Sequence, residues 1–376
     1  MTTDTNFNPT NLNFPLYLAR MQVKLLRPLL LIAVALATTT PRNTHAQYAL
    51  DYGLAAGTGN YLGDIGGAEL TRRDFAADLH LNQTRLSTHF FVRYRLNSAF
   101  AVRAQLGSVF IQDHDNQSTN RDRRTRNAHF RNTINELSLR GEVNLVSLPM
   151  ITRYTSKVRV GFNSYAIMGV TAFTHNPQAR IDEDAHAYLL GLQESGQLPY
   201  APSEQINDGY DFDQWHSLRE KNTEGANYGS GSVGFPMGLG ASFVLNYQVR
   251  IGVEFVWNLT LTDHLDDVSN TYADPSTLDD IGFLLSQPAS PASATAGGAE
   301  DVVGHLTNYR WHPSTSSPRG NPDKNDTYGT LQVTVSKVVR SQSNFRKNNN
   351  YGKRRTVKRR PTKPSNRGMG RGRAKF

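Results

Sequence analysis

Thr262-Asp263-His264-Leu265-Asp266-Asp267 sets three carboxylates beside an imidazole in a short stretch of chain. Such a set could hold a divalent cation through oxygen ligands, or supply a general acid and base. It stands where an alternating segment ends, and Thr and Asp are favoured there because their side chains bond nearby backbone groups. A hydrogen-bonded loop anchor is therefore the preferred reading. His89, His114, His129 and His264 show no metal-ligand spacing, and no nucleophile, base and orienting group converge. The chain is read as a non-enzyme, with no metal and no cofactor. Gly57-Thr58-Gly59-Asn60-Tyr61-Leu62-Gly63 comes near a phosphate-binding glycine loop, but it opens no helical pattern and lacks the dinucleotide spacing. Its glycines let a strand bend or accept a bulky neighbour.

A second group of reactive character lies at the C-terminus. From Arg340 to Phe376 there are 14 Lys and Arg and no Asp or Glu. The runs Lys353-Arg354-Arg355 and Lys358-Arg359-Arg360, with Arg371 and Arg373 in Gly-Arg repeats, could grip phosphates. In an exported chain, an acidic protein surface or anionic lipid head groups suit such a tail better than nucleic acid does. A solvated tail without a dedicated partner is the alternative. Taking the tail's +14 and the leader's +3 from the formal +9 leaves −8 for Gln47 to Val339. An acidic body thus carries a basic tail.

The elements that must position these residues are strands. Leu137, Leu139, Val143 and Leu145 alternate with Ser138, Arg140, Glu142 and Asn144, and Val249 to Leu261 repeats the pattern. Alternation of this kind puts one face toward an apolar phase and one toward water. About eight such segments are expected: 48–60, 86–96, 100–113, 133–146, 158–173, 232–245, 248–261 and 327–339. Their connections run long, short, long, short, with tight turns at Asn97-Ser98-Ala99 and Asn246-Tyr247. The pattern predicts an antiparallel transmembrane β-barrel with long extracellular loops and both ends in the periplasm. A soluble sandwich or lipocalin-like barrel is the competing fold. Arg93, Arg103, Arg140, Glu142, Arg250 and Glu254 are expected in the lumen, closing it with ion pairs, because unpaired buried charges are very costly.

Three regions are expected along the chain. Residues 1–46 read as a signal peptide with upstream sequence, with Met21 a possible true start, Lys24 and Arg27 before the apolar run Leu29 to Ala37, and small residues at Thr44-His45-Ala46. Residues 47–339 form the barrel domain, and 340–376 a disordered basic tail beneath the outer membrane. With no cysteine, the chain has no disulfide framework. Asp279-Asp280 and the Pro, Ala, Ser and Gly-rich stretch Pro288 to Gly298 read as a mobile loop segment.

Several motifs, taken in order, carry a family resemblance. They are Gly59-Asn60-Tyr61-Leu62-Gly63-Asp64-Ile65, Glu136-Leu137-Ser138-Leu139 through Leu145, Asn176-Pro177-Gln178-Ala179 and Phe235-Pro236-Met237-Gly238-Leu239-Gly240. Thr262-Asp263-His264-Leu265-Asp266-Asp267-Val268-Ser269 and Arg319-Gly320-Asn321-Pro322 complete the set. From Tyr48 to Val339 the chain resembles the PorG family, outer-membrane barrels of the type IX secretion system of Bacteroidetes. The resemblance implies a structural component of a protein secretion machine linked to gliding motility, associated with a periplasmic ring of the lipoprotein PorK and its partner PorN. The insertions Ile181 to Glu224 and Thr277 to His305 depart from the family pattern, as does the ending Arg373-Ala374-Lys375-Phe376. The expected role is a non-enzymatic anchor of that ring; a small channel or receptor for a solute is the alternative.

Overall fold

The structure, a computed structural model, describes residues 50–66, 81–118, 120–151, 160–198, 202–245, 248–299 and 318–339. Eight long strands dominate it: β1 (Leu50–Leu62), β2 (Arg85–Arg95), β3 (Phe100–His114), β4 (His129–Ile151), β5 (Val160–Thr174), β6 (Gly231–Leu245), β7 (Val249–Thr260) and β8 (Thr327–Val339). Each pairs antiparallel with the next, and β8 pairs with β1. The sheet therefore closes on itself. Seven strands fall within about two residues of their expected bounds, while β4 runs well past both of its own. At one end β4 continues beside β3 to the pair His114↔His129, and at the other it follows β5 to Ile151. The signal segment, the Asn246-Tyr247 turn and the basic tail lie outside the described residues.

Register fixes the barrel's dimensions. A path of paired residues leaves β3 at Val109 and passes Ser87, Gly57, Gln332, Glu254, Gly240, Tyr165 and Asn144. The Asn144 N–H then donates to Ala99 O at 2.8 Å, ten residues along from Val109. Eight strands with that stagger enclose an interior that side chains can fill.

The two faces have opposite chemistry. Leu54, Phe90, Leu106, Leu139, Val170, Leu239, Val253 and Val333, one from each strand, point outward and are exposed. Asp51, Arg93, Arg103, Arg140, Asn163, Ser242, Glu254 and Gln332, again one from each strand, point inward and are buried. A soluble barrel buries its apolar face; this one presents a continuous apolar belt and hides its charges, as a barrel in lipid does. The soluble alternative is thereby set aside. No helix among the described residues is long and apolar enough to cross a membrane.

The described parts of the connections 63–84, 115–128, 175–230 and 261–326 lie at one end, and the strands joined by the three shorter connections meet at the other, with Leu50 and Val339. At the long-loop end the connections fold into a cap. It contains α1 (Arg121–Arg126), α2 (Glu183–Glu194), α3 (Leu218–Lys221), α4 (Asp280–Ser286) and α5 (Pro291–Ala296). Ile65, Phe130, Leu189, Leu265, Val268 and Phe283 share one core with Tyr61 and Tyr328 from the strand ends.

This corrects the expectation of a mobile segment at Asp279-Asp280 and Pro288 to Gly298. Asp279 is an N-cap, its Oδ1 accepting the Gly282 N–H at 2.7 Å. Ser290 and Ser293 cap α5 reciprocally, at 3.0 and 3.2 Å, with Pro291 in the first turn. The small residues serve close packing: Ala289 and Ala294 are fully buried, and a Cβ at Gly297 would fall 2.2 Å from Thr125 Oγ1 of α1.

Candidate functional site

Two constellations stand out, one inside the barrel and one where the cap joins it. In the lumen Arg93 is central, reaching Asp51 at 3.1 Å, Glu142 at 2.7 Å and Glu254 at 3.3 Å. Arg103 Nη1 lies 2.6 Å from Glu254 Oε2, and Arg250 Nε lies 3.1 Å from Asp51 Oδ2. The Tyr165 hydroxyl donates to Glu254 at 2.6 Å, and the Arg103 guanidinium lies 3.7 Å above the centre of the Phe91 ring.

Toward the cap a second layer centres on Glu136. It lies 3.0 Å from His89 Nε2 and 3.0 Å from Arg140 Nη2, and accepts the Tyr328 hydroxyl at 2.6 Å. All six charges expected in the lumen are there. Sequence reasoning missed Asp51 and Glu136 as their partners, although both keep the inward parity of their strands. With these two included, Arg93, Arg103, Arg140 and Arg250 face Asp51, Glu136, Glu142 and Glu254, with the partly buried Arg95 beside Asp51 and Glu142 at the end of β2. Charges buried this deeply persist because each has a partner.

The second constellation is the Thr262 to Asp267 stretch. The Tyr61 hydroxyl lies 2.5 Å from Asp266 Oδ2 and 2.8 Å from Asp326 Oδ1, and accepts the Asp64 N–H at 3.0 Å. Asp266 also accepts the Ile65 and Val268 N–H groups, and Asp326 accepts that of Leu265. A phenol has one proton for the two carboxylates, so the pair favours holding a further one. Burial, with the Asp64 carboxylate beside it, pushes the Asp266 carboxyl up to about 7, and burial beside Asp266 raises Asp326 too. Asp267, at φ +72°, forms a separate hub: it accepts the Tyr228 hydroxyl at 2.6 Å, bonds Thr223, and lies 3.2 Å from Arg319.

Of the motif residues, the structure brings together Tyr61, Gly63, Asp64, Thr262, Asp266, Gly320 and Asn321. The Asn321 N–H donates to Asp64 at 2.6 Å, and the Asp326 N–H to Thr262 O at 3.0 Å. A Cβ at Gly63 would fall 2.0 Å from Asp326 Oδ1 and another at Gly320 2.7 Å from Asp64 Oδ2, so the network needs both glycines. Asp263 is buried nearby, while Pro322 is exposed. Gly59, Pro236 and Gly238 belong instead to the barrel wall, where a Cβ at Gly59 would meet Val109 at 2.5 Å. Asp326, Asp115 and Arg126 were not foreseen. Arg126 pairs with Asp115 at 2.6 Å and donates to Asp64 O and Arg319 O, binding three loops.

Chemically the arrangement is an anchor. The carboxylates are occupied by backbone N–H groups, tyrosines and arginines, and the His264 ring stacks on Tyr228 at 4.3 Å. Among the described residues no group of three or more His, Asp or Glu side chains is placed to hold a metal ion. The tail residues Lys353, Arg354, Arg355, Lys358, Arg359, Arg360, Arg371 and Arg373 lie outside the described residues.

A family model described as a domain of unknown function, DUF6089, matches residues 28–189, which take in β1 to β5. No curated protein matches the chain. Among solved structures the chain is similar to Ail, the attachment invasion locus protein of Yersinia pestis. A crystal structure of Ail in complex with the heparin analogue sucrose octasulfate matches at 8% identity and a TM-score of 0.27, covering 77% of this chain and 98% of that one. A second Ail crystal structure matches at 10% identity and a TM-score of 0.21, covering 77% and 95%. The barrel assignment rests on this chain's own register and faces.

Proposed function

We propose that the chain is a non-enzymatic outer-membrane component of a protein secretion machine of type IX. In this reading the barrel fixes a position in the membrane, and its short-turn end, with the basic tail, holds a periplasmic ring of proteins resembling PorK and PorN. The observation that carries the anchoring role is the sealed lumen: two layers of ion pairs lie across the barrel, with a folded cap above them. A barrel so filled has no passage to offer a solute, which disfavours a channel. The secretory role is supported by the motif resemblance. Outer-membrane barrels keep short turns in the periplasm, which supports a position on the ring's side for the chain beyond Val339.

Affinity purification from solubilised outer membranes tests this reading. The full chain should recover ring proteins at low salt, and lose them as salt shortens the Debye length to about 8 Å at physiological strength and further beyond. Truncation after Arg340 should leave a folded barrel that recovers fewer of them. Failure of the full chain to recover any periplasmic protein at low salt would remove the anchoring role.

A further inference from the structure

On β4 the outward stripe passes from Leu139 and Leu137 to Asn135, Thr133 and Arg131 toward the long-loop end. Beside its polar end the sheet is extended by short strands at Gln178–Ala179 and His216–Ser217. The pairs Arg131↔Gln178 and Ala179↔His216 bring Arg131, Arg180 and Trp215 together on the outer wall. The Arg131 guanidinium lies 4.0 Å from the centre of the Trp215 ring, and that of Arg180 5.6 Å.

Stacking on an indole orients a guanidinium without using its N–H donors. Arg131 donates from Nε to Gln178 Oε1 at 3.0 Å, and no carboxylate pairs with it among the described residues. Among the described residues Arg180 meets a loose acidic partner, Asp213 at 3.7 Å, whose side chain is 97% exposed. Two cations beside one indole thus face outward with donors to spare, and a guanidinium can bind phosphate oxygens in pairs.

Depth says which phosphate. Asn144 bonds the β2–β3 turn and so marks the rim at that turn, while β4 itself runs on beside β5 to Ile151. Arg131 stands thirteen residues farther along β4, roughly 33 Å above that rim at about 3.3 Å per residue and a tilt near 40°. The apolar band of such barrels is about 25 Å tall. Arg131, Arg180 and Trp215 consequently sit at the outer head groups, the level where Trp is enriched.

We propose that Arg131, Arg180 and Trp215 form a head-group site for a phosphorylated lipid of the outer leaflet, with the two guanidinium groups taking its phosphate. The site depends on the barrel's orientation and not on the secretory role, so a failed ring purification leaves it standing. The test uses the full chain in lipid nanodiscs containing bisphosphorylated lipid A, with bound lipid counted by native mass spectrometry. Arg131→Gln/Arg180→Gln should retain at least about tenfold less lipid A than the unaltered protein, while Lys337→Gln, an exposed cation at the opposite rim, should retain as much. Dephosphorylated lipid A should be retained weakly by all three. Should the double variant fail to fold, Arg131→Lys, which keeps the charge and loses the fork, should show a partial loss. Equal retention by the folded double variant or by Arg131→Lys, or equal loss in Lys337→Gln, would overturn the site. Complete displacement by millimolar inorganic phosphate would overturn the lipid assignment in favour of a free anion.

Discussion

Arg103 and Glu254 lie 151 positions apart in the sequence and meet at 2.6 Å in the fully buried interior of the barrel. Glu254 also takes Arg93 and Tyr165, so it ties β2, β3, β5 and β7 at one point. Arg103→Ala should cost about 3–5 kcal/mol, the range for stranding one partner of a buried pair. Arg103→Met/Glu254→Gln should recover part of that loss, because no full charge is then left alone. Urea unfolding in lipid vesicles reads both; a single-variant loss under about 1 kcal/mol would mean that the pair does not hold the lumen.

The cap should respond to pH through Asp266. This carboxyl titrates near 3.8 in the unfolded chain and at about 7 when folded, raised first by burial and then by Asp64. A folded state that holds its proton more tightly gains stability that is complete below the unfolded value and is lost as pH rises through the folded one. Hydrogen exchange in the Leu265 to Ser269 segment, corrected for intrinsic rates, should therefore quicken from pH 6 to pH 8. Asp266→Asn, which carries no titrating proton, should flatten that change. The same pH slope in the variant would assign it to another group.

On the lipid face, Val253 is half exposed near the middle of β7. Val253→Arg should cost roughly 2–4 kcal/mol at the bilayer midplane, and Val253→Leu far less. Equal refolding yields and stabilities for the two in vesicles would contradict a lipid-facing belt.

Orientation can be read with single cysteines, since the chain has none of its own. Ser203 is exposed in the cap, and Ser365 lies in the basic tail. An impermeant maleimide should label Ser203→Cys in intact cells and leave Ser365→Cys unlabelled until the outer membrane is opened. The reverse result would invert the barrel.

The wall and its charged lining were legible because a strand's side chains alternate strictly, so one apolar stripe fixes the parity of every neighbour. That is how Arg93, Arg140 and Glu254 could be assigned inward from their own segments. The cap was not legible in the same way. Tyr61 meets Asp266 across 205 positions and Asp326 across 265, and no local pattern marks such meetings. The segment around α5 misled for a related reason: Ala and Gly that look like loop composition are small because α1 lies against them. The Thr262 to Asp267 stretch announced an anchor through its residue types, yet its partner Asp326 sits before β8 without any local signal.

That the barrel anchors rather than conducts is tested most directly by single-channel recording in planar lipid bilayers. The purified, folded chain should give no discrete conductance steps at neutral pH and high salt, because the two ion-paired layers around Arg93 and Glu136 and the cap above them block the lumen. Reproducible ohmic steps from the folded, unaltered protein would contradict the account and restore the channel reading.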